Sequence, residues 1–231
     1  MSRHSAIATV SYFEGTMPTF MFADLAGFTA LTEAHGDADA SALAERFEAL
    51  IRERLPAGAR LVKMMGDAAM VVADNELAVV LMARDLVTAV EELPGRPAVR
   101  VGIHVGDAVE RDGDYWGHAV NVAARLAARA EPCEILTTDA VKSRIDSSSA
   151  PSDLIFEPLG RQQLRNVSEM FELFAIHAEC AEFSADPVCQ MRLSNSEGTA
   201  TIRFKGRVYH FCSLDCTRKF AADPGAYVTE R

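Results

Sequence analysis

Thr19-Phe20-Met21-Phe22-Ala23-Asp24-Leu25-Ala26-Gly27-Phe28-Thr29 decides the fold. The apolar run at 19–23 reads as a buried strand that delivers a carboxylate, Asp24, to its end. The chain then turns through Gly27, and Gly27-Phe28-Thr29 opens a helix. Backbone amides at such a helix start can hold phosphate oxygens while the carboxylate holds a metal. Alone, a strand-end Asp is most often a helix cap, so this segment needs support from elsewhere in the chain.

Downstream of it, residues 38–55 carry Leu43, Phe47, Leu50, Ile51 and Leu55 near helical period, and Pro56 and Gly58 stop that helix. Strands are expected over 60–64 and 68–73, joined at Met65-Gly66-Asp67 by a tight turn. A helix over 77–93 ends at Pro94-Gly95. A strand over 99–105 continues through 108–110, and Asp112-Gly113-Asp114 turns the chain. Residues 118–130 form a helix with Val122, Leu126 and Ala130 on one stripe. Short strands at 133–137, 156–159 and 170–176 complete a sheet, and residues 147–152 are a polar loop. This order predicts an α+β fold with a mostly antiparallel sheet rather than a doubly wound parallel one.

Asp67 gives a second carboxylate, within Leu61-Val62-Lys63-Met64-Met65-Gly66-Asp67-Ala68-Ala69-Met70. Asp114-Tyr115-Trp116-Gly117 and Asn121-Val122-Ala123-Ala124-Arg125 follow in order. Together these segments, over residues 18–177, resemble the class III nucleotidyl cyclases. The resemblance implies the ferredoxin-like cyclase fold and conversion of ATP to cyclic AMP and pyrophosphate. It implies that Asp24 and Asp67 hold two Mg²⁺ or Mn²⁺ ions, for which oxygen ligands suit. Gly27, Phe28 and Thr29 would meet the phosphates. Lys63 would read the adenine ring, Asp114 would accept from its amino group, and Asn121 and Arg125 would orient the ribose and stabilise phosphate charge. A donor-only Lys and an acceptor-only Asp fit the adenine edge; guanine presents the opposite pattern. Arg165 is the candidate to stand in for a phosphate-binding lysine that some family members carry near the last strands. The resemblance further implies a homodimer in which one chain supplies the aspartates and the other the base-reading and Asn/Arg residues. A guanylyl cyclase, or a catalytically silent nucleotide- or metal-responsive binding protein, is the alternative.

The C-terminal stretch differs in character. The chain carries a net charge of −10, yet residues 183–231 balance at +2, which supports a second unit with a separate task. Three of five cysteines lie there. Asp186-Pro187-Val188-Cys189-Gln190-Met191 and Tyr209-His210-Phe211-Cys212-Ser213-Leu214-Asp215-Cys216 resemble the YHS domain, related to the metal-binding TRASH group. Cys189, Cys212 and Cys216 are a candidate site for Zn²⁺ or Cu⁺, both tolerant of sulfur. A fourth ligand is wanted, with His210 and Asp186 as candidates. The competing reading makes these cysteines small core residues. Cys133 and Cys180 have no partner at a suggestive spacing and read as packing residues. His104, on an alternating strand, and Trp116 also read as structural.

The expected organisation is a lead-in over 1–17, a cyclase domain over 18–177, a linker over 178–183 and a YHS domain over 184–231. The acidic balance argues against sequence-independent nucleic-acid binding, which needs a basic face. Apolar runs fall well short of the roughly 20 residues of a membrane span, and the N-terminal apolar stretch is too short for a secretory signal. The expected location is the cytoplasm.

Overall fold

Thr19–Leu25 becomes strand β1, and its neighbours explain why it is apolar on both faces. β1 pairs antiparallel with β3 (Ala68–Ala73) on one side and β4 (Val99–Val105) on the other, so it lies inside the sheet. β2 (Ala59–Met65), β7 (Glu134–Thr138), β8 (Phe156–Gln163) and β9 (Met170–His177) complete seven strands in the order β2-β3-β1-β4-β7-β9-β8. Only the β4–β7 contact is parallel. The computed structural model describes residues 17–93, 95, 97–147, 151, 153–180, 183–193 and 200–228. The expectations for the lead-in at 1–16, for Pro94, for loop residues 148–150 and 152, and for linker residues 181–182 lie outside these.

Side chains alternate across β1 and feed two cores. Met21, Ala23 and Leu25 face α1 (Phe28–His35), α2 (Asp37–Arg54), α3 (Glu76–Ala89) and α5 (Asp139–Asp146), meeting Leu31, Phe47, Ile51, Leu86 and Ile145. Phe20 and Phe22 face α4 (His118–Arg129), meeting Ala119, Ala123 and Ala127. Gly102 of β4 lets α4 lie directly on the sheet: a methyl group there would collide with the Ala127 nitrogen and the Ala123 carbonyl. The α+β, mostly antiparallel architecture expected from the sequence is present.

Three local expectations need correction. Residues 108–110 do not continue β4; β5 (Val109–Arg111) folds back on β6 (Asp114–Trp116) as a separate hairpin. Asp112 and Gly113, both at positive φ, make its turn. The expected helix over 77–93 ends at Ala89 and tightens into a 3₁₀ turn, Val90–Glu92. α5 was not expected. Only Val141 and Ile145 are buried in it, too short an apolar stripe to stand out from a polar segment.

The C-terminal module consists of β10 (Ser184–Ala185) paired with β11 (Arg192–Leu193), β12 (Ala200–Phe204) paired with β13 (Arg207–Phe211), and α6 (Leu214–Ala222). Phe220 of α6 packs its ring near Tyr209 and Phe211, with centroids 5.1 Å away in each case. Ser213 caps α6 by accepting from the Cys216 backbone N–H. No helix among the described residues is long and apolar enough to cross a membrane.

Candidate active site and metal centre

Asp24 shares the parity of Phe20 and Phe22, so it stands on the α4 face at the end of β1. Asp67 follows Gly66, whose positive φ makes the β2–β3 turn. The Asp67 carbonyl accepts from the Leu25 N–H at 3.3 Å, which ties this turn to the end of β1. The two carboxyls are near enough to perturb one another. Burial first, and then the Asp24 charge, push the Asp67 carboxyl up to about 6. A pair of partly buried carboxylates under mutual repulsion is a natural cation site, because a bound cation relieves both costs.

Arg100 of β4 sits across from Asp24 in register and forms an ion pair with it. Its Nε is buried with no hydrogen-bond partner among the described residues. Sequence reasoning did not single it out, although an arginine between Val99 and Val101 on a buried strand is a visible signal. Gly27 adopts positive φ as the N-cap of α1, and no side chain caps that helix. Phe28 and Thr29 form its first turn.

Lys63 and Asp114 meet. Lys63 pairs with Met70 across the hairpin and so points to the α4 face, where its Nζ lies 2.6 Å from the Asp114 carboxylate. Burial works to raise the Asp114 carboxyl, but hydrogen bonds from Lys63 and from the Tyr115 N–H, with the Lys63 charge, hold it below the usual range. Arg60 fixes the hairpin that carries Asp114: it donates to the Gly113 carbonyl at 3.0 Å and to the Tyr115 hydroxyl at 2.9 Å. Arg60 is a second positioning residue that the sequence reading passed over. Asn121 and Arg125 are exposed, four residues apart on α4, and therefore project from one stripe of that helix.

The remaining expectations sort as follows. His104 is buried, its Nδ1 lies 2.8 Å from the Thr138 hydroxyl, and burial and then His118 lower its pKa to about 4. It is a neutral structural residue. Trp116 is 50% exposed, so it is not the packing residue expected. Arg165 lines a shallow groove with Arg129 and Asn166 beyond the end of β8. Cys133 and Cys180 form a disulfide rather than packing as free thiols, and their separation of 47 residues gave no local signal of it.

In the module, Cys212 Sγ lies 3.5 Å from Cys189 Sγ and 3.6 Å from Cys216 Sγ. The hydrogen bond shared with Cys189 draws the Cys212 thiol down to about 6 against opposing burial, whereas burial pushes Cys216 up to about 11. The fourth group at this cluster is neither of those expected. Asp186 is fully buried and spends its carboxylate on the Val188 and Cys212 N–H groups, each at 2.8 Å. His210, on β13, is not among the grouped ligand atoms. His35, at the end of α1, brings Nε2 to 3.7 Å from Cys212 Sγ and 4.0 Å from Cys216 Sγ.

Comparison with known proteins gives two separate family matches along the chain. Residues 184–231 match the YHS domain. An uncharacterized protein of Mycobacterium tuberculosis (strain ATCC 25618 / H37Rv) is 38% identical over 143 residues, covering 58% of this chain and 38% of that protein. A pH-sensitive adenylate cyclase of Mycobacterium tuberculosis (strain CDC 1551 / Oshkosh) is 31% identical over 158 residues, covering 68% of this chain and 40% of that protein. The chain thus spans about two fifths of the length of these relatives. An adenylate/guanylate cyclase/hydrolase crystal structure from Silicibacter pomeroyi is 28% identical with a TM-score of 0.60, covering 74% of this chain and 100% of that one. Residues 15–177 match the adenylate and guanylate cyclase catalytic domain, and the chain belongs to that family.

Proposed function

We propose that the chain is an adenylyl cyclase that converts ATP to cyclic AMP and pyrophosphate. The observation that carries this reading is the Lys63–Asp114 pair, a donor-only and an acceptor-only group 2.6 Å apart on the α4 face. Adenine offers an acceptor nitrogen beside a donor amino group, and this pair answers both; guanine would meet the wrong group at each position. Asp24 and Asp67 would hold Mg²⁺ or Mn²⁺, and the raised proton affinity of Asp67 beside Asp24 fits a site built to be neutralised by cations. Such ions lower the pKa of an attacking hydroxyl and stabilise charge on phosphoryl oxygens. Arg125 supplies a permanent cation for negative charge that builds on the phosphates, and Asn121 orients the ribose. The Gly27-Phe28-Thr29 turn offers backbone N–H groups to the triphosphate.

Two chains would complete each site. Support comes from the exposed Val109–Trp116 cross-strand pair, an apolar patch on the hairpin that also carries Asp114. Residues 18–177 would form the catalytic domain, residues 178–183 the linker and residues 184–231 the accessory module. Mass analysis of product from ATP and from GTP, each with Mn²⁺, tests the reading. Cyclic AMP should dominate in the native chain, and Lys63→Glu should lose activity with ATP. Equal turnover of GTP by the native chain, or unchanged ATP turnover in Lys63→Glu, would overturn the base assignment.

A further inference from the structure

α1 is gripped along its length by the module. At its start, Gln190 crowds Gly27: a Cβ on Gly27 would lie 2.5 Å from the Gln190 Cβ. At its end, Lys219 Nζ donates to the Glu33 and Ala34 carbonyls at 3.3 and 3.0 Å, meeting carbonyls that a helix C-terminus leaves open. Just beyond the second of these contacts His35, the last residue of α1, reaches into the cysteine cluster. Its four ligand atoms, from His35, Cys189, Cys212 and Cys216, all lie within 4.8 Å of one another.

We propose that Cys189, Cys212 and Cys216 of the module and His35 of the cyclase domain form a single Zn²⁺ site shared by the two domains, which locks the module onto α1. Zinc–sulfur bonds of about 2.3 Å place tetrahedral sulfurs about 3.8 Å apart, and sulfur and imidazole nitrogen about 3.6 Å apart. Four of the six separations, 3.5 and 3.6 Å between sulfurs and 3.7 and 4.0 Å from sulfur to nitrogen, stand near those figures, and all six are within 4.8 Å. Three thiolates with one imidazole are a closed structural zinc set. Copper(I) would be satisfied by the soft thiolates and would leave His35 idle, so the histidine argues for zinc. The Cys189 knuckle is already shaped for the ion: the Asp186 N–H donates to the Met191 carbonyl and the Gln190 N–H donates to the Asp186 carbonyl, both at 2.8 Å.

The site has a consequence for the catalytic reading, and that part rests on the proposed function. Cys189 is followed by Gln190, so a metal that fixes Cys189 to His35 also fixes Gln190 against Gly27. The turn assigned to the triphosphate would then be held in one arrangement, and losing zinc would release the helix that follows Asp24.

Titration of the full chain with Co²⁺ and Zn²⁺ tests the site without any activity readout. The native chain should take up one equivalent at the thiolates, read by the visible absorption of tetrahedral thiolate-bound cobalt, which an ion held by Asp24 and Asp67 does not give. His35→Ala should weaken zinc binding at least tenfold and alter that spectrum, and His35→Cys should restore binding. Zinc should also slow hydrogen exchange in residues 28–35 of the native chain but not of His35→Ala. No metal uptake by the native chain, unchanged zinc affinity and spectrum in His35→Ala, or preferential Cu⁺ binding indifferent to His35 would each overturn the proposal. A chain that binds zinc through His35 yet makes no cyclic nucleotide would leave this site standing and overturn only the catalytic reading.

Discussion

The sheet domain and the C-terminal module reach stability by different routes. The domain buries large side chains on both faces of seven strands, among them Phe20, Phe47, Leu86, Ile103 and Leu126. The module's buried cluster comes down to Val188, Cys189, Phe211, Cys216 and Phe220, and two of these five are thiols. A unit below about 50 residues has little core of its own and gains most from cross-links and metals. The contrast explains where each region can place costly groups. A large core can carry Asp67 with its proton held up to about 6 beside Asp24. A small one needs its thiol cluster and its dock on α1.

The largest expected effect breaks the sheet domain's function while sparing its fold. Asp24→Ala should cut cyclic AMP formation by about a thousandfold, the equivalent of roughly 4 kcal/mol of lost transition-state stabilisation. Thermal unfolding of that variant should fall only modestly: Asp24 is half-buried at a strand end, and the loss is that of the ion-pair partner of Arg100. Retained activity would remove Asp24 from the metal assignment. Mixing Asp24→Ala with Arg125→Ala then probes the shared site. If two chains build each site, mixed dimers hold one intact site, and activity should recover to about a quarter of native. A mixture as inactive as its parts would contradict the dimer.

The next effect falls on the disulfide that pins the linker to the sheet domain. The Cys133–Cys180 bond spans 47 residues, ties the start of β7 to residue 180, and has Arg192 of the module 3.4 and 3.0 Å from its two sulfurs. Loop closure over that span is worth up to about 4 kcal/mol in the chain-entropy account. Cys180→Ser should therefore lower the midpoint of denaturant unfolding, and adding reductant should bring the native chain to the same value. No difference between oxidised native chain and variant would show the bond to be idle.

Much of the sheet domain was legible in the sequence because its signals are local. An apolar run ending in Asp24, a Gly66-Asp67 turn and the Asn121/Arg125 spacing each lie within a few residues. The hairpin of β5 and β6 was misread because alternation around Val109 looks like more of β4, whereas Asp112 and Gly113 at positive φ decide the turn. The thiol–imidazole cluster was half legible. Its cysteines cluster in sequence, but His35 lies more than 150 residues from the nearest of them, and only the docked fold brings it there. The disulfide and the Arg100–Asp24 pair were hidden for the same reason: each joins segments that are distant along the chain.

The smallest effect sharpens what the large core tolerates. The proton on Asp67 is bound more tightly in the folded chain, about 6 against 3.8, so stability falls as pH rises through that window and the cost is fully present above it. Asp67→Asn should stabilise the metal-free chain by about 1 kcal/mol near neutral pH, after discounting for partial exposure. The gain should vanish below about pH 4. Thermal unfolding of both proteins across that range reads it, and a gain independent of pH would refute the account from burial and Asp24 repulsion.

The measurement closest to the central claim is the mass of the product formed by the full chain from equimolar ATP and GTP with Mn²⁺. Cyclic AMP with pyrophosphate in equal amount is the predicted result. Cyclic GMP as the main product would contradict the adenine reading of Lys63 and Asp114, and nucleotide binding with no cyclic product would contradict the catalytic role of Asp24 and Asp67.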